Sequence, residues 1–202
     1  DFVKGMGEDN NPEWKTVAYD EASGQIVVPK GSVGFRWGEK GKWSLEEKAS
    51  GNQETRLRLS LSDIKDGTSS VGFPYFGNRE HDHFAGTDHP DVLKRNVPTK
   101  TLQLADGETI VASVFDLFLA NYGVDRGFGG ENIGKTYDDL EPYTPAWAEK
   151  ISGVPRDQII TVAREFALNA EKTGGRSMVI LGAGLNHWYH MDMNYRGIIN
   201  ML

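Results

Sequence analysis

The residues best equipped for chemistry lie together near the end of the chain, in the order Gly182, Ala183, Gly184, Leu185, Asn186, His187, Trp188, Tyr189, His190. Two glycines one residue apart let a backbone approach a ligand closely. Asn186 offers a donor and an acceptor, His187 one of each or two donors, and Trp188 a stacking face with a single donor. That set suits a flat heteroaromatic ligand with amide-like edges. A plain dinucleotide fingerprint requires glycine at its sixth position, and His187 stands there instead, so an ordinary NAD site is disfavoured. The competing reading is structural: Gly182 and Gly184 make a tight turn, and His187 and Trp188 pack against the next element.

The elements flanking this stretch have to position it. Residues 177–181 form a short apolar run with β-branched members between Gly174-Gly175 and Gly182, the pattern of a buried strand. Beyond Met191, the spacing of Tyr195, Ile198, Ile199 and Leu202 puts them on one helical face. The expected order is strand, glycine loop, helix. In open α/β sheets ligands gather at such loops, beyond the carboxyl ends of the strands. Upstream, Thr144 before Pro145 predicts a capped helix ending at Gly153. Pro155 opens a second helix, with Ile159, Ala163, Phe166, Ala167 and Ala170 on one face, that stops before Gly174.

The rest of the chain reads as β-rich and antiparallel. Residues 1–14 have a linker composition. Strands at 14–19 and 25–28 flank a turn closed by Gly24, and a second hairpin is expected at 34–37 and 42–45. Residues 55–61 alternate, with Leu57, Leu59 and Leu61 on one face and Arg56, Arg58 and Ser60 on a solvated one. Residues 63–98 look like a long polar loop carrying an aromatic plug at 71–76. The loop also holds His81, His83 and His89, whose surroundings lack the framework a metal site requires. A hairpin follows at 98–104 and 108–113, turning at Asp106-Gly107. Ser113 is placed to cap a helix that ends at Gly123. The glycine-rich residues 125–136 lack the Lys-Ser/Thr ending of a phosphate loop and read as a mobile connector. The division expected is thus 1–142, β hairpins and long loops belonging to a larger domain, and 143–202, helix-helix-strand-loop-helix, part of an α/β cofactor-binding domain.

Composition excludes several functions. A net charge of −7 gives no footing for nucleic acid, and the absence of cysteine rules out disulfides and thiolate or iron–sulfur ligation by these 202 residues. No apolar run approaches the roughly 20 residues that span a bilayer. The lack of an initiator Met and a final helix whose apolar face is still running are expected of an internal piece of a longer protein.

Residues 143–154, 159–167 and 182–190 resemble the molybdopterin oxidoreductase family. Residues 11–17, 34–43, 71–77 and 185–196 are similar, more narrowly, to the catalytic alpha subunits of membrane-bound respiratory nitrate reductases. The resemblance implies a mixed α/β fold, with an antiparallel β-rich first two thirds followed by part of an open α/β layer. It implies reduction of nitrate to nitrite at a molybdenum bis(molybdopterin guanine dinucleotide) centre, and a [4Fe-4S] cluster. Electrons would come from quinol through an iron–sulfur beta subunit and a membrane gamma subunit, at the cytoplasmic face of the membrane. The metal ligands of the family precede this stretch, so no catalytic or metal-binding residue is carried over. In the family's loop that runs past the pterin, Gly182 and Gly184 match as close-approach positions, and Asn186 and His187 match as candidate hydrogen-bond partners for the pterin or the substrate funnel. Trp188, His190 and Arg196 match in identity. Two alternatives stand beside this reading: a related molybdoenzyme acting on selenate or chlorate, and a structural or docking insertion with no ligand of its own.

Overall fold

A computed structural model of the chain describes residues 2–4, 14–27, 48–49, 53–54, 56–75, 91–104 and 107–202. The fold is mixed α/β with antiparallel sheets, and the described chain divides into two compact units, residues 1–147 and 148–202.

The first unit is built on a long antiparallel pair, β8 (Gly67–Tyr75) and β9 (Asp91–Leu104). Their register runs from Gly67 opposite Thr99 to Tyr75 opposite Asp91. From Lys100 onward β9 changes partner and pairs with β10 (Gly107–Val111), Leu104 facing Gly107. Pro98, which has no N–H to give, stands just before this handover, where a missing donor costs least. The hairpin predicted from Asp106-Gly107 is present, and the one strand expected at 98–104 begins at Asp91. The irregular loop expected across 63–98 is corrected: 67–75 is a strand. Gly72 and Pro74 look like breakers in isolation, but they alternate with Val71 and Phe73, which turn to the core while β9 supplies the ladder. His81, His83, His89 and the hairpin expected at 34–45 lie outside the described residues.

The other described strands form smaller sheets. β3 (Ala18–Asp20) pairs with β4 (Gln25–Val27) around a turn in which Gly24 takes φ 70°, and on its other side with β7 (Leu57–Arg58). The strand expected at 14–19 is broken at Val17. Its first part, β2 (Trp14–Thr16), pairs with β1 (Phe2–Lys4) inside the stretch read as linker. β5 (Lys48–Ala49) and β6 (Gln53–Glu54) form a minimal hairpin. The alternating strand at 55–61 shrinks to β7, and Leu59 is 73% exposed while Leu61 is buried. The reason is a competing partner: the Asp116 carboxylate takes the Leu61 amide at 2.8 Å and draws the chain off the sheet.

Helix α1 (Val114–Asn121) is capped as predicted, Ser113 Oγ accepting the Asp116 amide. It lies on β9, and Phe73, Val97 and Ala120 form the core there with Val71, Ala112 and Leu117 around them. From Phe118 in α1 a row of rings, Phe118, Tyr122, Tyr143 and Trp147, steps along at centroid spacings of 4.9, 5.0 and 5.2 Å. Tyr143 takes a left-handed φ of 72° within that row. Helix α2 (Pro145–Ser152) starts there, with Thr144 Oγ1 accepting the Trp147 amide, and Gly153 ends it at φ 72°.

The second unit is helical. Helix α3 (Arg156–Thr173) stops at Gly174, which is left-handed and returns its amide to Ala170. Then come α4 (Ala183–Asn186) and α5 (Met191–Ile199). The strand expected at 177–181 is not formed. Ser177 Oγ donates to the Phe166 carbonyl and accepts from Asn169, which ties this stretch to α3. Exposure alternates along it, Met178 75% and Ile180 83% exposed with Ser177 and Val179 half-buried between them. A strand needs a hydrogen-bonded neighbour, and the described residues of this unit supply none.

Candidate functional site

The loop singled out by its residue types is brought into one compact turn. Gly182 is the extended residue at the head of α4, with φ −131° and ψ −177°; Gly184 and Asn186 lie within α4, and His187 closes it. The Gly182 carbonyl accepts the Leu185 amide, and the Leu185 carbonyl accepts the Trp188 amide. A short helix was not expected here. A single turn leaves no apolar period to read, and one glycine lies within it and another at its head.

Neither glycine is explained by the chain around it. Their backbone angles are open to any residue, and a Cβ at Gly182 or Gly184 would meet none of the described residues within 4 Å. Elsewhere glycine has a visible cause. At Gly130, φ is 147° and a Cβ would stand 2.8 Å from the Arg95 Cα. Gly182 and Gly184 therefore leave a bare strip of backbone beside Asn186 and His187.

Along the sequence the strip sits in an acid-free stretch bounded by Glu171 and Asp192. From Lys172 to Met191 there is no acidic residue, while Lys172, Arg176, His187 and His190 all fall there, in a chain of net charge −7. The donor set suits a ligand rich in acceptor oxygens and nitrogens, such as a nucleotide-bearing heterocycle. Trp188 is 73% and Tyr189 78% exposed, and the Tyr189 ring lies 3.8 Å from that of His190. Arg196 stands on α5.

The first unit holds buried charges that the sequence alone did not single out. Asp116 is 1% exposed. Its Oδ1 accepts from Ser60 Oγ at 2.7 Å and Arg126 Nη1 at 2.5 Å; its Oδ2 accepts from the Leu61 amide and from Ser113 Oγ, both at 2.8 Å. Burial pushes its pKa up, but the Leu61 amide, Arg126, Ser60 and Ser113 outweigh that and hold it below the usual carboxylate value. With both oxygens engaged, Asp116 acts as a clamp and not as a proton shuttle. Its one sequence signal was the spacing Ser113-x-x-Asp116, a capping-box pattern.

Arg95, also 1% exposed, is the second clamp. It donates to the carbonyls of Ala120 and Asn121 at the end of α1, and to those of Glu131 and Asn132. A guanidinium at a helix C-terminus meets the negative end of the helix dipole. The glycine-rich segment read as a mobile connector is thus fastened to β9: Gly129 accepts the Asn96 amide, Glu131 donates to Lys94, and Gly130 faces Arg95 across an antiparallel bridge. Its carbonyls turn to the protein, which is the opposite of a phosphate cradle. The arginine face at β7 is also engaged by carboxylates, Arg58 lying 2.8 Å from Glu21 and 3.4 Å from Asp63.

Among the described residues no cluster of acidic and histidine side chains is arranged to hold a metal, and no helix is long and apolar enough to cross a membrane.

No family model matches the chain. Over its full length it is 61% identical to the respiratory nitrate reductase 2 alpha chain of Escherichia coli (strain K12), and 58% identical to the respiratory nitrate reductase 1 alpha chain of the same strain. Across 94% of its length it is 42% identical to the nitrate reductase alpha chain of Bacillus subtilis (strain 168). The chain spans 16%, 16% and 15% of the lengths of these relatives. Identity of this level over the full length of the chain places it in the family of respiratory nitrate reductase alpha chains.

Proposed function

We propose that this chain is part of the catalytic subunit of a quinol-linked nitrate reductase, and that its loop at 182–187 holds a molybdenum-bearing pterin nucleotide. The observation that carries the reading is the 61% identity, over the full length of the chain, with a respiratory nitrate reductase alpha chain. The bare backbone strip at Gly182 and Gly184, with Asn186 and His187 beside it and no acid from Lys172 to Met191, fits such a group.

In this reading Gly182 and Gly184 admit the flat ring system to van der Waals distance of the main chain. Asn186 and His187 would hydrogen-bond its edges and fix its rotation. When bound, the group would supply the two electrons that, with two protons, convert nitrate to nitrite and water. The chain's own part is binding, orientation and electrostatics. No catalytic side chain is assigned among its residues.

The finer features belong to the same proposal: the bis(molybdopterin guanine dinucleotide) form, a [4Fe-4S] cluster ligated elsewhere in the longer protein, beta and gamma partner subunits, and a position on the cytoplasmic face of the membrane. So does the domain reading, in which 143–202 is part of an α/β cofactor-binding domain. There, residues 177–181 pair as a strand with a segment of the longer protein. Their alternating exposure and apolar character support this.

The test is the complete subunit with its partners in membranes, fed a reduced quinol and assayed for nitrite, with selenate and chlorate as rival substrates. Nitrate turnover exceeding both, and abolished when molybdenum is replaced by tungsten during growth, is the expected result. Preference for a rival oxyanion, or turnover indifferent to molybdenum, overturns the reading.

A further inference from the structure

The long pair of β8 and β9 is completed on one side only. On the side of β9 away from β8, Asn96 gives its amide to the Gly129 carbonyl and the Lys94 carbonyl accepts the Glu131 amide, before β10 takes over from Lys100. Lys94 and Asn96 thus turn their backbone polar groups away from β8. Residues directly opposite one another in an antiparallel pair share that orientation, so Gly72 opposite Lys94 and Ser70 opposite Asn96 turn theirs away from β9. Strand alternation adds Thr68 and Pro74 to the outward set. Pro98, opposite Thr68, agrees with this register, because it has no N–H to give β8.

The outer edge of β8 therefore presents the amides of Thr68, Ser70 and Gly72 and the carbonyls of Thr68, Ser70, Gly72 and Pro74, in steps of about 6.8 Å. Among the described residues nothing pairs with them. Sheet edges that face water are blunted by brevity or charge. β10, the opposite edge of this sheet, has both, with five residues and Glu108 among them. β8 has neither: its nine residues, Gly-Thr-Ser-Ser-Val-Gly-Phe-Pro-Tyr, carry no charge, and only Pro74 closes the ladder at one end. Its core face is unfinished too, Phe73 being buried while Ser69 and Val71 are half-buried. Donor and acceptor pairs at that spacing are matched by one kind of group, another extended backbone.

We propose that the outer edge of β8, over residues 68–73, is the docking site of a further strand, supplied by the same polypeptide from outside residues 1–202. Length and charge point to that source. The match covers all of this chain but 16% of the Escherichia coli alpha chain to which it is 61% identical, so the longer protein has ample chain to supply a strand without capturing a second molecule. An uncharged edge of this length suits a permanent partner, because one left open between binding events would pair with other copies. The incoming strand alternates apolar side chains, set beside Val71 and Phe73, with polar ones beside Thr68 and Ser70. The inference is independent of what the 182–187 loop binds.

The experiment is residue-resolved hydrogen exchange on the full-length alpha chain, alone and assembled with its partners. The amides of Thr68, Ser70 and Gly72 are expected to exchange about a hundredfold or more slowly than unpaired ones in both preparations, alongside the Val71 amide that β9 already holds. A photoreactive benzoylphenylalanine in place of Thr68, whose exposed side chain flanks the edge, is expected to cross-link to an alpha-chain peptide outside residues 1–202. Ser70→Pro repeats the outward register of Pro74, so β9 stays paired; exchange should quicken at Thr68 and Gly72 while Val71 remains slow. Fast exchange at residues 68, 70 and 72 in the assembled complex overturns the proposal. So does protection that arrives only with a partner subunit, or a cross-link to a partner, to a second alpha chain or to a peptide within residues 1–202.

Discussion

Arg126 Nη1 lies 2.5 Å from Asp116 Oδ1, and the same guanidinium donates through Nη2 to Ser60 Oγ at 2.7 Å. Three segments distant in sequence, the residues just after β7, the start of α1 and the glycine-rich loop, are thereby tied at one buried carboxylate. Asp116→Ala leaves Arg126 and the Leu61 amide without their acceptor and is expected to cost about 3–5 kcal/mol, the range for breaking a buried pair from one side. Hydrogen exchange in the intact subunit should show fast exchange at residues 60–62 and 113–117, with β8 and β9 less affected. Unchanged protection at the Leu61 amide would count against the clamp.

The same carboxylate sets an acid limit. Asp116 and Asp20 are both held below their ordinary value of 3.8; for each, burial opposes the shift and hydrogen bonds outweigh it, at Asp20 from Ser23, Arg56 and Ala22. A carboxylate with a depressed folded pKa contributes stability that is fully present above its unfolded pKa and lost as pH falls through the folded one. Protection at residues 20–24 and 60–62 should therefore hold from neutrality to about pH 4 and fall below it. In Asp116→Asn the acid step at 60–62 should shrink. A step of full size in that variant would assign it to another group.

Gly130→Ala is a backbone test. At φ 147°, with a new Cβ 2.8 Å from the Arg95 Cα, the bridge between the loop and β9 has to open. The expected cost is about 1–3 kcal/mol, from strain alone. Gly127→Ala is the control: φ there is also positive, at 77°, but a Cβ meets nothing within 4 Å. Its cost should be the smaller, read as thermal midpoints of the intact subunit.

Gly184→Ala separates folding from cofactor binding. The residue is helical and a Cβ there has open space, so alanine is expected to stabilise the cofactor-free subunit by up to about 1 kcal/mol. Against the cofactor the added methyl should act in the other direction, and Gly182→Ala likewise, with molybdenum and pterin content falling. Full cofactor content in both variants would show that nothing approaches that backbone.

Residues 177–181 test the domain reading. If they pair with a strand of the longer protein, their amides should exchange slowly in the full subunit even though Met178 and Ile180 are largely exposed in this chain. Rapid exchange there would leave the segment an exposed connector.

Much of the chain is decided locally and was legible without coordinates. Helices start and stop on side-chain caps and left-handed glycines, so Ser113, Thr144, Gly153 and Gly174 marked α1, α2 and α3. Asp106-Gly107 marked the hairpin of β9 and β10. The loop at 182–187 stood out by residue type alone, and length-wide identity assigns the family. What the tertiary structure decided are the partners of each segment. A strand exists only where another backbone completes its ladder. Gly67–Tyr75 therefore becomes β8 despite Gly72 and Pro74, while the apolar run at 177–181 remains unpaired among the described residues. Buried charge follows the same rule: Arg95 and Asp116 look like surface residues in the sequence, and only the carbonyls, amides and guanidinium that converge on them in space make their burial affordable.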